Sequence, residues 1–227
     1  MRLCKEDSVP AAVFCRAAAN MALESDRPYV PALPKTQGAV SEIANNVAIE
    51  ARGDPCLFQG SIGTAYNKKA LTDSGITHIL TAASKIGSRF KDEFTYKVLN
   101  LLDSPDQNIV QFFDAASDWI EQVLAESPNN RVLVHCFAGK SRASTITCAY
   151  LMKKQGLTLR EALLHLRACR PIAFPNIGFL VQLKAYESLV HGSVSDVPLK
   201  LEKLFGIEPT KKDAAAASTS TIGMTEE

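Results

Sequence analysis

Val132-Leu133-Val134-His135-Cys136-Phe137-Ala138-Gly139-Lys140-Ser141-Arg142 reads as a strand, a tight loop and the start of a helix. Val132 to Val134 are wholly apolar and rich in β-branched side chains, the pattern of a strand covered on both faces of a sheet. Ala143 to Lys154 continues as a helix. Where such a helix begins, free backbone N–H groups point into the loop and the helix dipole adds partial positive charge. That junction is suited to hold phosphate or sulfate. Gly139 lets the backbone curl closely around an anion, and successive amides can form an anion-binding nest.

The same alternation extends on both sides. Cys56-Leu57-Phe58 is a short strand candidate, Asn67 is placed to cap a helix over Lys68 to Ser74, and Gly75 ends it. Thr77 to Thr81 reads as a buried strand, and Tyr96 to Leu102 as another. Asp103-Ser104-Pro105-Asp106 breaks the latter. Ile109, Phe112, Phe113, Ala116, Ile120, Val123 and Leu124 recur at helical spacing. Thr158-Leu159-Arg160-Glu161 is a capping box for a helix running to about Arg170, where Pro171 stops it. A last helix follows Pro175, with Phe179, Leu180, Leu183, Tyr186 and Leu189 expected on one face. Strands alternating with helices indicate an α/β domain with a central sheet.

The loop carries nucleophile chemistry. Cys136 stands at the strand's end facing the nest. A helix N-terminus and nearby cations favour a thiolate over a thiol. Arg142, six residues on, closes the loop with a guanidinium that can donate two parallel hydrogen bonds to phosphate oxygens. A lone buried Cys is usually a core residue. His, Cys, Gly and Arg at these fixed places should occur by chance on the order of once in a few thousand chains. His135 is expected to orient the loop through backbone hydrogen bonds rather than act as a general base.

Bulk composition narrows the rest. The chain has 227 residues, 46% hydrophobic and 22% charged, with a formal net charge of +1. This fits a soluble globular protein without a general field for nucleic acid. No apolar run approaches the roughly 18 residues needed to span a bilayer. The six cysteines, Cys4, Cys15, Cys56, Cys136, Cys148 and Cys169, have no metal-ligand spacing, so no metal is expected. Neither a secretory signal, a transit peptide nor a lipidation pattern is evident, which leads to the expectation of a cytoplasmic or nuclear protein with free thiols.

The quoted run resembles the H-C-x5-R loop of protein tyrosine phosphatases, and Gly139-x-Ser141-Arg142 resembles that of the dual-specificity branch. Ala149-Tyr150-Leu151-Met152 and Arg170-Pro171…Pro175-Asn176…Phe179 are similar to the same branch, from about Pro55 to Val190. Plant and green-algal MAP-kinase-phosphatase-like members look closest. The resemblance implies a single phosphatase domain with a central, mostly parallel sheet flanked by helices. Residues 51–192 would form it. Residues 1–50 would be a weakly ordered or partly helical extension, and 193–227 a low-complexity, disordered tail.

It also implies a two-step mechanism without cofactor. The Cys136 thiolate attacks phosphorus, Phe137, Ala138, Gly139, Lys140, Ser141 and Arg142 hold the phosphate, and an Asp protonates the leaving oxygen and then activates water. Spacing favours Asp103 as that acid, with Asp106 the alternative; either can equally cap a turn. Asn176 resembles the asparagine that braces the phosphate loop, and it also suits a helix N-cap. Ala143 departs from the family, which usually has Ser or Thr there; Ser144 is adjacent but about 100° away around the helix. Lys140 either adds charge for substrate or faces solvent. The expected substrate is a phosphorylated protein, plausibly a MAP kinase. Other readings are an inositol-lipid or phosphoglucan phosphatase and a phosphate-binding pseudo-phosphatase. An amphipathic helix in a flank could meet calmodulin, with packing the commoner use; no nucleic acid or membrane partner is expected.

Overall fold

A computed structural model of the chain describes residues 49–50 and 55–206. The expectations for the amino-terminal extension and for the tail beyond residue 206 lie outside them. The strands are β1 (Ile49–Glu50), β2 (Pro55–Gly60), β3 (His78–Ala82), β4 (Thr95–Leu99) and β5 (Val132–His135). The helices are α1 (Ile62–Ala65), α2 (Lys68–Asp73), α3 (Phe113–Glu126), α4 (Arg142–Gln155), α5 (Leu159–Cys169), α6 (Ile177–His191) and α7 (Leu201–Leu204). The five strands form one sheet in the order β1-β2-β5-β3-β4. β1 pairs antiparallel with β2, and all other pairs are parallel.

Side-chain alternation along the strands sends apolar residues to both faces. Leu57, Leu80, Val132 and Val134 pack into the larger core with α3, α4, α5 and α6. Phe58, Ile79 and Leu133 face the other way, onto Ala65 and Leu71 of α1 and α2. The continuous apolar run of β5 follows from this two-sided burial. Its neighbours stay in register with it to its last residue, Gly60 and Thr81 both opposite His135. The loop after β5 therefore emerges at the carboxyl end of the sheet's centre.

Local signals account for several boundaries. The Asn67 side chain accepts from Ala70 N–H at the start of α2. Thr158 and Glu161 form a reciprocal capping box on α5. Gly156 ends α4 in the left-handed conformation (φ 70°), which costs glycine little. β4 stops at Leu99 rather than Leu102: its register with β3 ends at the Ala82–Leu99 pair, and the Leu101 carbonyl accepts from Ser84 N–H beyond it.

Two expectations are corrected. On α6, Phe179, Leu180, Leu183 and Tyr186 are buried, but Leu189 is 79% exposed. The buried place in that turn belongs to Glu187, whose carboxylate accepts from Leu159 N–H at 2.7 Å and from Ser195 N–H at 2.9 Å. The second bond helps to extend the packed structure past residue 192. Val197 and Leu201 are buried, Lys184 Nζ donates to Val197 O, and Phe205 meets Phe174 edge-on. Residues 193–206 are thus part of the folded unit rather than of a disordered tail. Among the described residues, no helix is long and apolar enough to cross a membrane.

Candidate active site

The loop from Cys136 to Ser141 is shaped by where its carbonyls go. Cys136 O accepts from His135 Nδ1 at 3.3 Å. Phe137 O accepts from Ile62 N–H at 3.0 Å. Ala138 O accepts from Arg170 Nη2 at 3.1 Å, and Gly139 O from Arg170 Nε at 2.8 Å. Gln59 Nε2 also donates to Gly139 O, at 3.1 Å. Lys140 O accepts from Ser144 Oγ at 2.6 Å and from Phe174 N–H at 2.8 Å. Ser141 O accepts from Thr145 N–H and Oγ1, both at 2.9 Å.

In a trans peptide the carbonyl and the following N–H point in opposite directions, and none of the described peptides is cis. Six carbonyls tied to surrounding elements therefore leave the N–H groups of residues 137 to 142 for the inner side of the loop. Gly139 N–H demonstrates this by donating to Cys136 Sγ at 3.2 Å. Gly139 has φ +65°, and a Cβ there would overlap the Gly60 carbonyl and sit 2.8 Å from Arg170 Nη2. Only glycine fits that backbone and that gap.

His135 is fully buried at the end of β5. Burial pulls its pKa down to about 4, partly opposed by the hydrogen bond to the Cys136 carbonyl. The ring is therefore neutral near pH 7. The carbonyl can only accept, so Nδ1 carries the proton and Nε2 accepts from Thr81 Oγ1 at 2.9 Å. Thr81 lies directly across on β3. His135 is a fixed strut of the loop, with no free nitrogen for proton transfer.

Arg142 opens α4. Its Nη1 donates to Leu101 O at 3.2 Å. Nε lies 3.5 Å from Asp103 Oδ2, an ion pair, and this buried atom makes no hydrogen bond among the described residues. Asn176 Nδ2 donates to Asp103 Oδ1 at 2.9 Å. The Asp103 carboxylate is thus held between Asn176 and Arg142 at the loop's mouth. Asp106 is exposed and makes no such contact among the described residues. Asn176 serves two ends at once: its Oδ1 caps α6 by accepting from Phe179 N–H, and its own N–H donates to Ser141 Oγ at 3.1 Å. Its side chain braces the acid rather than the loop.

Ala143 is fully buried, and Ser144, also buried, turns its hydroxyl back to the Lys140 carbonyl. Lys140 Nζ rests over the Phe174 ring, 5.4 Å from its centroid. Around the loop, Phe137, Leu102 and Ile177 are exposed apolar residues. They are chain neighbours of Cys136, Asp103 and Asn176 respectively.

Sequence reasoning missed Gln59, Thr81 and Arg170 as members of this site. The Arg170 guanidinium is almost wholly buried; desolvation works against its charge and the nearby Cys136 works for it. A buried arginine between a helix end and a proline was the available signal, since such a charge needs acceptors. Cys148 sits deep in α4, and burial pushes its thiol up, away from reactivity.

Comparison with known proteins agrees with this geometry. The family model "Dual specificity phosphatase, catalytic domain" matches residues 57–189. Dual specificity protein phosphatase 1 of Arabidopsis thaliana is 47% identical over 131 residues, 58% of this chain and 65% of that relative. Less than two thirds of that relative's length is therefore represented. Dual specificity protein phosphatase 1B of the same plant is 40% identical over 137 residues, 60% of this chain and 81% of the relative. Among solved structures, the human tyrosine phosphatase-like serine/threonine/tyrosine-interacting protein matches with a TM-score of 0.57 and 34% identity, covering 60% of this chain and 93% of that one.

Proposed function

Because this chain belongs to the dual specificity phosphatase catalytic-domain family, we propose that it hydrolyses phosphotyrosine and phosphoserine or phosphothreonine in proteins, with a cysteinyl-phosphate intermediate. The observation that carries the reading is the loop itself: six outward-bound carbonyls, inward N–H groups, and Cys136 Sγ at the centre with Gly139 N–H upon it. The loop N–H groups and Arg142 hold the three non-bridging phosphate oxygens. Cys136 Sγ attacks phosphorus, and the bond to the leaving oxygen breaks as Asp103 gives it a proton. Water then attacks phosphorus, Asp103 takes that water's proton, and the sulfur–phosphorus bond breaks to release phosphate and the thiolate. Developing charge is met by donors already in place, which lowers the barrier without reorganisation.

The rim favours a polypeptide over a sugar or an inositol headgroup. Phe137, Leu102 and Ile177 offer apolar contact beside the reacting centre, and Lys140 is drawn to Phe174 rather than to a second phosphate. A MAP-kinase-type activation segment fits that class of substrate. The test compares a doubly phosphorylated activation-loop peptide, a phosphoinositide and a phosphoglucan as substrates of the full chain, with Cys136→Ser as control. Preferred turnover of the peptide, abolished by the substitution, is expected. Preference for either non-protein substrate, or turnover that survives Cys136→Ser, would overturn the reading.

A further inference from the structure

Gln59 stands where the fold asks for an apolar side chain. It lies on β2 two residues beyond Leu57, on the face beneath α4, and is 0% exposed. Its Nε2 donates to Gly139 O at 3.1 Å and to Ser144 Oγ at 2.8 Å. Ser144, also 0% exposed, donates in turn to Lys140 O. The carbonyl of Gly139 can only accept, so the amide nitrogen must face it and the amide oxygen is turned away. Gln59 Oε1 has no partner among the described residues. A buried amide oxygen left unpaired is a cost that a leucine at this place would avoid.

Peptide planarity converts these bonds into control of N–H groups. Holding Gly139 O orients Lys140 N–H. Holding Lys140 O orients Ser141 N–H. Holding Ala138 O, which Arg170 Nη2 does, orients the Gly139 N–H that donates to the cysteine sulfur. The supports differ in reach. Arg170 holds the sulfur's donor through Ala138 O and shares Gly139 O with Gln59, whereas Gln59 and Ser144 make no bond to Ala138 O and reach only donors that face the anion. Gly139 O and Lys140 O each keep a second donor, Arg170 Nε and Phe174 N–H. Loss of the pair should loosen the loop without dismantling it.

We propose that Gln59 and Ser144 are a positioning pair that aims the Lys140 and Ser141 N–H groups at a bound tetrahedral oxyanion, setting oxyanion affinity apart from cysteine reactivity. This rests on the phosphate-loop reading above. The test titrates tungstate, a tetrahedral dianion, into the full chain by calorimetry for wild type, Gln59→Leu, Ser144→Ala and the double variant. In parallel, alkylation of Cys136 by iodoacetate is followed against pH by mass spectrometry. Each single variant should weaken tungstate binding about tenfold, the scale of one spoiled hydrogen bond to a charged group. The double variant should bind tungstate more weakly than Ser144→Ala, because Gln59 also holds Gly139 O directly, a bond that Ser144→Ala leaves in place. The alkylation midpoint should stay where it is in wild type. Unchanged affinity in Ser144→Ala overturns the proposal, as does a moved alkylation midpoint with unchanged affinity. If Gln59→Leu fails to fold, Ser144→Ala, checked by circular dichroism, carries the same comparison. A wild-type chain that binds no tungstate and turns over no phosphoester would instead overturn the reading of the site itself.

Discussion

Gly178 offers a way to move the proposed acid while leaving the phosphate loop alone. It lies in the first turn of α6, two residues after Asn176. A Cβ there would fall 2.6 Å from Pro105 Cα and nearer still to the Pro105 carbonyl. These are backbone atoms and cannot swing aside. Restoring ordinary contact with the Pro105 carbonyl, 3.4 Å or more, requires one segment to retreat by at least about 1 Å, and more at the carbonyl oxygen. α6 is anchored by buried Phe179, Leu180 and Leu183, whereas Leu102, Asp103, Pro105 and Asp106 are exposed, so the loop is the segment that yields. Asp103 then leaves its place between Asn176 and Arg142. A misplacement of about 1 Å costs on the order of 10²-fold in rate, and only in the step that needs the proton. Gly178→Ala should therefore lower kcat/KM about 10²-fold for aryl phosphates with poor leaving groups and little for those with good ones. Asp103→Asn should show the same leaving-group dependence, and Asp106→Ala should not. The assay is a leaving-group series on each purified variant. An equal fall across the series, or the effect appearing in Asp106→Ala instead, refutes the reasoning.

Two further outcomes follow from the loop's surroundings. Ala143 presents no hydroxyl to the sulfur, so breakdown of the cysteinyl-phosphate should be the slow step: stopped-flow traces should show a product burst that disappears in Ala143→Ser, and a single unchanged rate in both would count against it. His135 is neutral in the folded protein, with a pKa near 4 against an ordinary 6.5. The unfolded chain therefore binds a proton first as pH falls. Stability should be complete above about pH 6.5 and decline towards pH 4, by at most about 3 kcal/mol from this group. Denaturant titrations of wild type and His135→Asn should differ in slope by about 1.4 kcal/mol per pH unit within that window, and coincident slopes would exclude His135 as the source.

The contrast between Leu189 and Glu187 shows where hydropathy misleads. Periodicity alone assigns the apolar Leu189 to the inner face of α6, yet it is exposed and a carboxylate is buried beside it. Glu187 earns that place through bonds to Leu159 N–H and Ser195 N–H, groups 28 and 8 residues away. Burial of a charge is tolerable when donors surround it, and no local pattern announces distant donors. The same cause hid the ordering of residues 193–206. Residues 194–205 carry several apolar side chains with no clear period, and only packing against other elements of the core decides that Val197 and Leu201 are buried while Val194 and Leu199 are exposed. By contrast, the caps at Asn67 and at Thr158 with Glu161 involve residues three apart, and those helix starts could be read directly.

The site divides along the same line. Its inner surface was legible because one short loop wraps one small anion, so nucleophile, amides and arginine must be contiguous, from Cys136 to Arg142. Its outer surface could not be contiguous. A loop this tight cannot satisfy its own carbonyls, because turning them inward would set oxygen against the anion. Neighbours in the chain serve some of them, and the rest need donors from elsewhere: Gln59 from 80 residues before Gly139 and Arg170 from 31 after it, while Thr81, 54 before His135, fixes the ring that serves Cys136 O. Residues that touch the substrate are therefore found by motif, whereas residues that aim them are found only by asking where each carbonyl goes. On this argument, substitutions in the outer shell should tune affinity and rate by degrees, while those in the inner run abolish turnover.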